Sequence, residues 1–447
     1  MFSKKLKKEL KFNTKKKFYV NVNKYSNFAK IEDGKEIWTD AFQKAIDENE
    51  YIFVPNGRYF IDRSLVLRSN RHIVLSQRAE VGLVKTCKTL LLRNQSVIDG
   101  SCENIDMTYP HEQNISISGG LWFEENDTRH GFGVTGKFDE ENSLVGVTTC
   151  LLFSGVKNLR LSNMRFRNTA GVAIQLGRCE NFIIENISFD NCFADGVHVG
   201  GHVKNGIIKN IYGKTGDDLV ALNMCDWQNS SINMGPLENV LVENVCATAT
   251  NGYNAFRILP GVLVTKNGEI DCYVKNLCVR KVRGISAFKL YMQTVPYAKT
   301  PDYVKVGSIE NISLENIKID LNGPIDELEN YVSQDPITGQ FGAIEIGSNV
   351  NSITLKNINA TLNKTTFKNS HLITVGPKAS YLKSHNLEVF DPWAVCEVGE
   401  IAYKNVKVNG KKVYDLKKEV KTIAFSNLYN LTENNGFGVV KTYKSIK

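Results

Sequence analysis

The chain has 447 residues, of which 42% are hydrophobic and 23% charged, a composition typical of soluble globular proteins. No apolar run approaches the roughly 18 residues that a transmembrane helix needs, so stable membrane insertion is not expected. The net charge of +8 comes mainly from residues 1–17, which hold eight Lys and one Glu, so nucleic acid is not an expected partner of the nearly neutral remainder.

Residues 1–25 are expected to form a basic, solvated N-terminal tail, for which a disordered conformation is one alternative. Lysines interrupt its apolar residues, so it lacks the continuous apolar stretch of a secretory signal. The ten cysteines are scattered without CxxC pairs or metal-ligand spacing, which favours reduced thiols packed in a core. We therefore expect a cytoplasmic protein.

The first regular elements lie between residues 33 and 62. Apolar residues at helical spacing predict one amphipathic helix over Thr39–Asn49. Short apolar strands at Tyr51–Val54 and Tyr59–Ile61 follow, with turn residues between them. A helix ahead of a row of strands would cover the open end of a stack of coils, so we assign residues 33–62 as an N-terminal cap.

Beyond this cap, one short unit recurs: Asn, an apolar–x–apolar triplet, a polar residue, Asn or Gly, and a further apolar residue. Copies begin at Asn114, Asn158, Asn181, Asn205, Asn239, Asn276 and Asn311, with weaker copies at Ser352 and Asn405. The copies at 158, 181 and 205 are 23 and 24 residues apart, and later spacings lengthen to between 34 and 41. A period in the low twenties, built from short strands, fits one coil of a parallel β-solenoid. The Asn at each bend tolerates a left-handed conformation and can bond to the Asn of the next coil.

We predict an all-β chain that folds as one right-handed single-stranded parallel β-helix over residues 26–447, with a C-terminal cap over about 411–447. A leucine-rich repeat has a similar period but needs a ladder of leucines that this chain lacks. The longer later spacings place insertions at about 224–237, 259–272 and 291–308. Insertions in solenoids gather on one face, often the binding face.

Three carboxylates recur at the same phase of this repeat. Asp195 follows one copy of the unit, and Asp217-Asp218 follows the next, 22 residues later. Because adjacent coils lie about 4.8 Å apart, the three carboxylates would be neighbours. Their repulsion raises at least one pKa, and a protonated acid beside an ionised base is what glycosidic cleavage requires. A lone Asp at a strand start more simply caps a turn, but the in-phase arrangement favours catalysis.

Residues 163–196 and 209–223 carry these carboxylates and resemble the central region of the polygalacturonases, glycoside hydrolase family 28. The resemblance extends over about residues 33–300, and Gly216-Asp217-Asp218 is its most specific part. It implies that Asp217 is the general acid on the leaving oxygen. It also implies that Asp195 and Asp218 hold and deprotonate the attacking water, with inversion at the anomeric carbon.

The chain departs from the family pattern around these carboxylates. The family's Asn-Thr-Asp is Phe193-Ala194-Asp195 here, and its Gly-His-Gly is Gly252-Tyr253-Asn254. Its Arg-x-Lys, which engages the substrate carboxylate in the family, is Lys289-Leu290-Tyr291, with Arg257 as a second cation nearby. The resemblance therefore implies an intact acid and water machinery beside a rewritten subsite, whose candidate residues are Tyr253, Asn254, Arg257, Lys289 and Tyr291.

Two further side chains are candidates for binding substrate. His198 follows Asp195 by three residues and, in a strand, shares parity with Gly196 rather than with Asp195, so a packed or solvated histidine is the alternative. Trp227 lies in the first insertion and could stack on a sugar, with loop packing as the alternative. No third ligand at metal spacing accompanies His198 and Asp195, so neither a metal nor another cofactor is expected.

The insertions would form walls that turn an open cleft into a pocket for chain ends. The favoured function is an inverting, exo-acting glycoside hydrolase on uronic-acid-containing, pectin-type oligosaccharides, whose partner is an oligo- or polysaccharide. Three alternatives stay open. They are a β-helix polysaccharide lyase that recruits Arg257 or Lys289, a phage-tailspike-like protein, and a non-catalytic glycan-binding solenoid.

Overall fold

The repeating unit winds the chain into a stack of parallel coils. The fold is seen in a computed structural model that describes residues 6, 18–85, 87, 89–97, 111–125, 149–226, 233–248, 255–265, 267–291, 303–321, 341–365, 369–376, 395–423 and 437–446. Most neighbouring strands pair in parallel with the strand one coil away. The short strands and turn residues of each unit therefore build one coil, as the period predicts.

The described strands form three sheets. The large sheet contains Val20–Asn21, Lys30–Glu32, Lys35–Ile37, Tyr51–Val54, Gly57–Ile61, Arg71–Leu75, Ala79–Leu83, Glu112–Ser118, Leu121–Glu124, Val156–Ser162, Arg165–Arg167, Glu180–Cys192, Val203–Thr215, Leu237–Ala247, Val274–Ile285, Ser308–Leu321, Asn349–Leu362, Val395–Val408, Lys411–Lys412 and Phe437–Ser445. The second sheet contains Leu65–Leu67, Leu92–Asn94, Thr149–Ser154, Val172–Gly177, Val197–Val199, Val220–Leu222, Ala255–Ile258, Ala287–Tyr291, Phe341–Gly347, Ser370–Val375 and Val420–Thr422. A small antiparallel sheet contains Gly261–Thr265, Gly268–Cys272 and Tyr303–Val306.

The long strands of the large sheet bend at asparagines in the left-handed conformation. Glu180–Cys192, for example, carries Asn181, Asn186 and Asn191, each with φ of +57°. Asn tolerates this region better than other non-glycine residues because its short polar side chain bonds locally. A five-residue interval between bends thus turns one continuous strand from one face of the coil to the next.

Side-chain amides at these bends bond from coil to coil. Asn181 Nδ2 donates to Asn158 Oδ1 at 3.3 Å, and Asn205 Nδ2 donates to Asn181 Oδ1 at 3.2 Å. The first ladder of such bonds runs through Asn70, Asn114, Asn158, Asn181, Asn205, Asn239, Asn276 and Asn311. The second ladder runs through Asn163, Asn186, Asn210 and Asn244 and resumes at Asn316, Asn357 and Asn405. The repeated Asn of the sequence is therefore a structural repeat.

Stacked aliphatic side chains fill the inside of the coils. In-register pairing aligns one column of fully buried residues, namely Ile184, Ile208, Val242, Val279, Leu314 and Leu355. Each β-branched or leucine side chain packs on its copy one coil away, which is the contact that stabilises a solenoid. Such a core holds the sheet edges in fixed register, and so it fixes the spacing of whatever the outer faces carry.

The N-terminal end is covered as predicted by one helix, Thr39–Glu48, whose inward face buries Ala41, Phe42, Ala45 and Ile46. The helix ends one residue before the predicted Asn49, which is its C-cap. Two 3-10 helices, Val22–Phe28 and Leu416–Glu419, also lie among the described residues. None of these helices is long and apolar enough to cross a bilayer.

Leu6 lies within the segment that the sequence predicts to be a solvated tail, yet it is buried. It packs with Ile183, Ile207 and Leu241, three in-register side chains of the large sheet that form a separate apolar cluster from the main core. At this position the N-terminal segment therefore contacts the sheet. Every described cysteine is free, in line with the expectation of reduced thiols.

Two of the expected insertions meet in the small antiparallel sheet. Gly261–Thr265 pairs with Gly268–Cys272 in the same insertion and with Tyr303–Val306 from the next one. At the other end of the chain, Phe437–Ser445 pairs in parallel with Val395–Val408. The parallel stack therefore continues into the region predicted as a C-terminal cap.

Candidate active site

The three carboxylates lie beside the second sheet, just before two of its strands. Asp195 precedes Val197–Val199, and Asp217 and Asp218 precede Val220–Leu222. The Gly196 N–H donates to the Asp218 carbonyl at 3.0 Å, which aligns the two coils at this corner. Nearest oxygens of the three side chains lie within 4.8 Å of one another. The structure thus brings the predicted acids together.

Gly216 is required by the close approach of these two coils. Its N–H donates to the Cys192 carbonyl at 2.7 Å, and a Cβ on Gly216 would lie 2.0 Å from the carbonyl oxygen of Phe193. Any side chain would therefore push the coils apart. This explains why a Gly precedes the Asp pair, and it sets Phe193-Ala194-Asp195 beside Gly216-Asp217-Asp218.

The carboxylates are held by backbone amides and by one arginine. The Asp218 N–H is shared between Asp195 Oδ1 and Asp217 Oδ1, each at 3.0 Å, and the Ala255 N–H donates to Asp218 Oδ1 at 3.0 Å. Arg257 Nη2 lies 3.0 Å from Asp217 Oδ1, and its Nε lies 3.0 Å from Asp218 Oδ2. Arg257 comes from the coil after the Asp pair, so three successive coils supply this cluster.

Asp217 and Asp218 differ in their access to a substrate. The Asp218 side chain is 0% exposed, whereas that of Asp217 is 26% exposed. Burial raises the pKa of Asp218 well above its usual range, and the charges of Asp217 and Asp195 raise it further against the opposing effect of Arg257. The cluster therefore favours a proton on a buried carboxyl, and Asp217 is its more accessible member.

His198 links Asp195 to a carboxylate that the sequence analysis missed. Its Nδ1 lies 2.7 Å from Asp195 Oδ2, and its Nε2 lies 3.6 Å from Asp226 Oδ2. Asn223 Nδ2 donates to the same Asp226 oxygen at 2.8 Å. All three members of this Asp–His–Asp array are buried. Because Asp195 lies in a turn before the strand, strand parity did not anticipate its contact with His198.

The environment of His198 favours the imidazolium. Burial alone lowers the pKa of His198, but the hydrogen bond and charge of Asp195, together with the charge of Asp226, outweigh burial and the opposing charge of Arg257. The net pKa is therefore above its ordinary value. A positively charged His198 forms an ion pair with Asp195.

One column of outward positions on the second sheet runs through the site. Coil by coil, it comprises Gln175, His198, Ala221, Arg257, Lys289, Glu345 and Thr374. Lys289 and Glu345 are in-register neighbours and are both buried. Tyr291, two residues after Lys289, has a raised pKa because of burial and the charge of Glu345. Glu345 is a second residue that the sequence analysis missed.

Trp227, Tyr253 and Asn254 lie outside the described residues. Asp195, Asp217 and Asp218 together offer the kind of oxygen ligands that Mg²⁺ or Ca²⁺ prefers. Arg257, however, already supplies positive charge to two of these carboxylates. We therefore assign no metal to the site.

No family model matches the chain. Among sequences, Polygalacturonase-2 of Solanum lycopersicum is 23% identical over 353 residues, which cover 76% of this chain and 69% of the relative. Among structures, the hyperthermoactive exopolygalacturonase of Thermotoga maritima gives a TM-score of 0.51 at 13% identity, covering 92% of this chain and 97% of that one. Gene product 12 of bacteriophage phi29 gives 0.50 at 16% identity, covering 87% and 50%.

These likenesses confirm the predicted fold class. The chain is a right-handed parallel β-helix, and it is polygalacturonase-like in sequence and in fold. A phage protein matches the same fold about equally well, so the fold alone does not separate an enzyme from other β-helix proteins. The carboxylate cluster is therefore the feature that bears on function.

Proposed function

We propose that this polygalacturonase-like β-helix is a glycoside hydrolase acting on pectin-type oligo- or polysaccharides. The observation that carries the proposal is the cluster of three carboxylates within 4.8 Å on adjacent coils, one of them accessible and one fully buried. A pair of carboxyl groups in unlike environments is the requirement for glycosidic cleavage. The relatives named as polygalacturonases support the same reaction class.

Asp217 is the proposed general acid. Its side chain is the accessible one, whereas Asp218 is buried and accepts a hydrogen bond from the Ala255 backbone. In the free site the proton favours the buried Asp218, and Asp217 lies beside it. A bound sugar that displaces water around Asp217 makes its charged form less favourable and draws the proton to it. Asp217 then protonates the leaving glycosidic oxygen.

Asp195 is the proposed base for the attacking water, assisted by Asp218. Both oxygens of Asp195 already accept hydrogen bonds, from the Asp218 N–H and from His198. Asp195 is therefore held by hydrogen bonds on both oxygens, and the Asp218 side chain is 0% exposed, so we assign neither of them as a nucleophile toward the sugar. Although the close spacing of the carboxylates resembles that of retaining enzymes, this geometry and the family resemblance both favour direct attack by water and inversion.

Uronic-acid recognition is proposed for the cations that follow in the column. Arg257 is 15% exposed at the edge of the carboxylate cluster, and Lys289 follows it one coil later. Guanidinium and ammonium groups form strong charge-assisted bonds with a sugar carboxylate. A substrate carboxylate that engages Arg257 would also loosen its hold on Asp217, which couples binding to proton transfer.

Exo action is proposed from the insertions. The small antiparallel sheet joins two of them next to the end of Ala255–Ile258, the strand that carries Arg257. A wall on one side of the groove favours chain ends over mid-chain binding. A time course that releases only mono- or disaccharides supports exo action, whereas early mid-length products contradict it.

The first experiment measures reducing-end release from a panel of pectic and neutral oligosaccharides by wild type and Asp217→Asn. We expect wild type to release sugar from at least one uronate oligomer and Asp217→Asn to be slower by about 10²- to 10⁴-fold, the usual effect of losing a general acid. Asp190→Asn is the matched control, because Asp190 is 72% exposed on the large sheet. Proton NMR of the first-formed anomer tests inversion.

The outcomes separate the alternatives. Unsaturated products that absorb in the ultraviolet would show a lyase. Equal rates for wild type and Asp217→Asn would mean that Asp217 is not the acid. Oligosaccharide binding without any release would show a glycan-binding solenoid.

A further inference from the structure

A half-exposed phenylalanine lies close in the chain to the carboxylate cluster. Phe193 is 52% exposed and lies two residues before Asp195. The other large apolar side chains that are exposed among the described residues lie elsewhere: Phe18, Phe28, Ile31, Tyr212 and Tyr414. Exposure of half of an aromatic side chain forgoes part of its large hydrophobic stabilisation. At a site built from buried polar groups, such a ring points to a ligand that covers it.

The backbone at Phe193 is pinned between two coils. Its N–H donates to the Thr169 carbonyl at 3.0 Å, and its own carbonyl oxygen lies against Gly216, where even a Cβ would come within 2.0 Å. Gly216 directly precedes Asp217. The ring is therefore anchored one coil from the proposed acid, on a segment whose position the sheet fixes.

The chemistry of a pyranose suits this ring. The face of an aromatic ring carries partial negative charge, and C–H bonds carry partial positive charge. A galacto-configured pyranose presents several axial C–H bonds on one face, and it can lie on such a ring while its hydroxyls point to polar groups.

We propose that Phe193 is the stacking platform for the sugar bound next to the scissile bond. This inference rests on the proposed glycosidase function and adds a specificity-determining residue to it. Phe193 selects the substrate by its apolar ring face, and it takes no part in proton transfer. Its loss should therefore weaken binding and leave the chemical step nearly unchanged.

The experiment compares Phe193→Ala, Phe193→Leu and Phe193→Tyr on the oligosaccharide that wild type cleaves. Phe193→Ala and Phe193→Leu should raise KM about tenfold, as expected for a lost stacking contact, with kcat within about twofold. Phe193→Tyr should keep the wild-type KM because it keeps the ring face. Tyr212→Ala is the matched control, since Tyr212 is 54% exposed on the large sheet, and it should change neither constant.

Titration calorimetry with the Asp217→Asn variant, with and without Phe193→Ala, measures sugar binding when cleavage is blocked. A tenfold weaker Kd in the double variant supports the platform. Wild-type KM and Kd in Phe193→Ala, or in Phe193→Leu, overturn the platform while leaving the glycosidase proposal intact. A wild type that neither cleaves nor binds any sugar of the panel overturns both.

Discussion

The asparagine ladders and the column on the second sheet are both in-register stacks, yet they are built in opposite ways. The ladders repeat one residue type at exposed or half-buried bends, coil after coil. The column changes at every coil, from His198 through Ala221 to Arg257, Lys289 and Glu345, and its polar members His198, Lys289 and Glu345 are buried.

The difference follows from the short distance between coils. An amide carries both a donor and an acceptor, so identical amides about 4.8 Å apart can bond in an endless row. Identical charges at that distance repel, so each ionisable group of a row needs an opposite charge beside it, as Arg257 has in the Asp pair and Lys289 has in Glu345. Repetition therefore marks positions that stabilise the fold, and variety at in-register positions marks those that do chemistry. The predictions below test this contrast.

The largest effect on kcat is expected from substitutions in the Asp195–His198–Asp226 array, which shares His198 with the column. His198→Ala and Asp226→Asn should each lower kcat about 10- to 100-fold. His198→Ala removes the hydrogen bond to Asp195, and Asp226→Asn weakens that bond by removing the second carboxylate beside His198. Asp226→Asn also removes a charge that raises the pKa of His198. The alkaline limb of the pH–rate profile should then move to lower pH, and an unmoved limb would count against the array. His72→Ala, on the large sheet, is the control.

A smaller effect, on stability, is expected from Asp218→Asn. The pKa of Asp218 is higher in the folded protein than in the unfolded chain, so its stabilising contribution is full below the unfolded pKa, about 4, and is lost as the pH rises through the folded pKa. Asn does not titrate. Thermal unfolding should show equal Tm values for wild type and Asp218→Asn near pH 4. At pH 8 the Tm of Asp218→Asn should be higher by a few degrees, although the variant has lost activity. A pH-independent difference would contradict the assigned shift.

Within a ladder, stability should change without activity. Asn186 has a φ of +57° and bonds to Asn163 and Asn210, so Asn186→Ala loses both bonds and places Ala in a strained conformation, at about 2 kcal/mol. Asn186→Gly loses the bonds but not the conformational fit, and should cost about half as much. Denaturation curves of the two variants measure the two parts, and kcat should stay at the wild-type value in both. A loss of kcat would mean that the ladder and the site are not separate.

The smallest effect is expected from repairing the second ladder. Lys281 has a φ of +56° and takes the bend between Asn244 and Asn316, where it interrupts the amide bonds. Lys281→Asn should raise stability by about 0.5–1 kcal/mol, since a left-handed Asn is favoured and two bonds can form. The ion pair with Glu243 that is lost contributes little, because the Lys281 side chain is 59% exposed and Glu243 keeps its ion pair with Arg280. An unchanged or lower Tm would show that the ladder bonds do not add to stability.

Much of the fold was predictable because the asparagines that form the ladders recur in the sequence. Asn at each bend, with apolar residues between, defines the coil, and the 22-residue interval from Asp195 to Asp217 already places two coils side by side. Residue spacing could not predict the register of the coils that follow the insertions. Where coils are 34–41 residues apart, a position such as Glu345 cannot be counted into register, because the inserted length is unknown.

The repeat pattern also could not predict the side-chain contacts of residues in turns. Strand parity separates His198 from Asp195, but Asp195 lies before the strand, where side chains do not alternate, and the two are bonded. Asp226 follows the strand Val220–Leu222 in an irregular segment and carries no repeat signal. A buried carboxylate near a candidate substrate-binding histidine is a contact that only the folded backbone reveals.

The close approach at Gly216 has a consequence for how this site can change in evolution. Backbone hydrogen bonds, and not side-chain packing, set the distance between Asp195 and the Asp pair. Side chains of the neighbouring column that do not contact the acids can therefore be exchanged one at a time without moving them. Such a scaffold separates the reaction from the choice of substrate, so new sugars can be recruited by single substitutions while the same cleavage chemistry is kept.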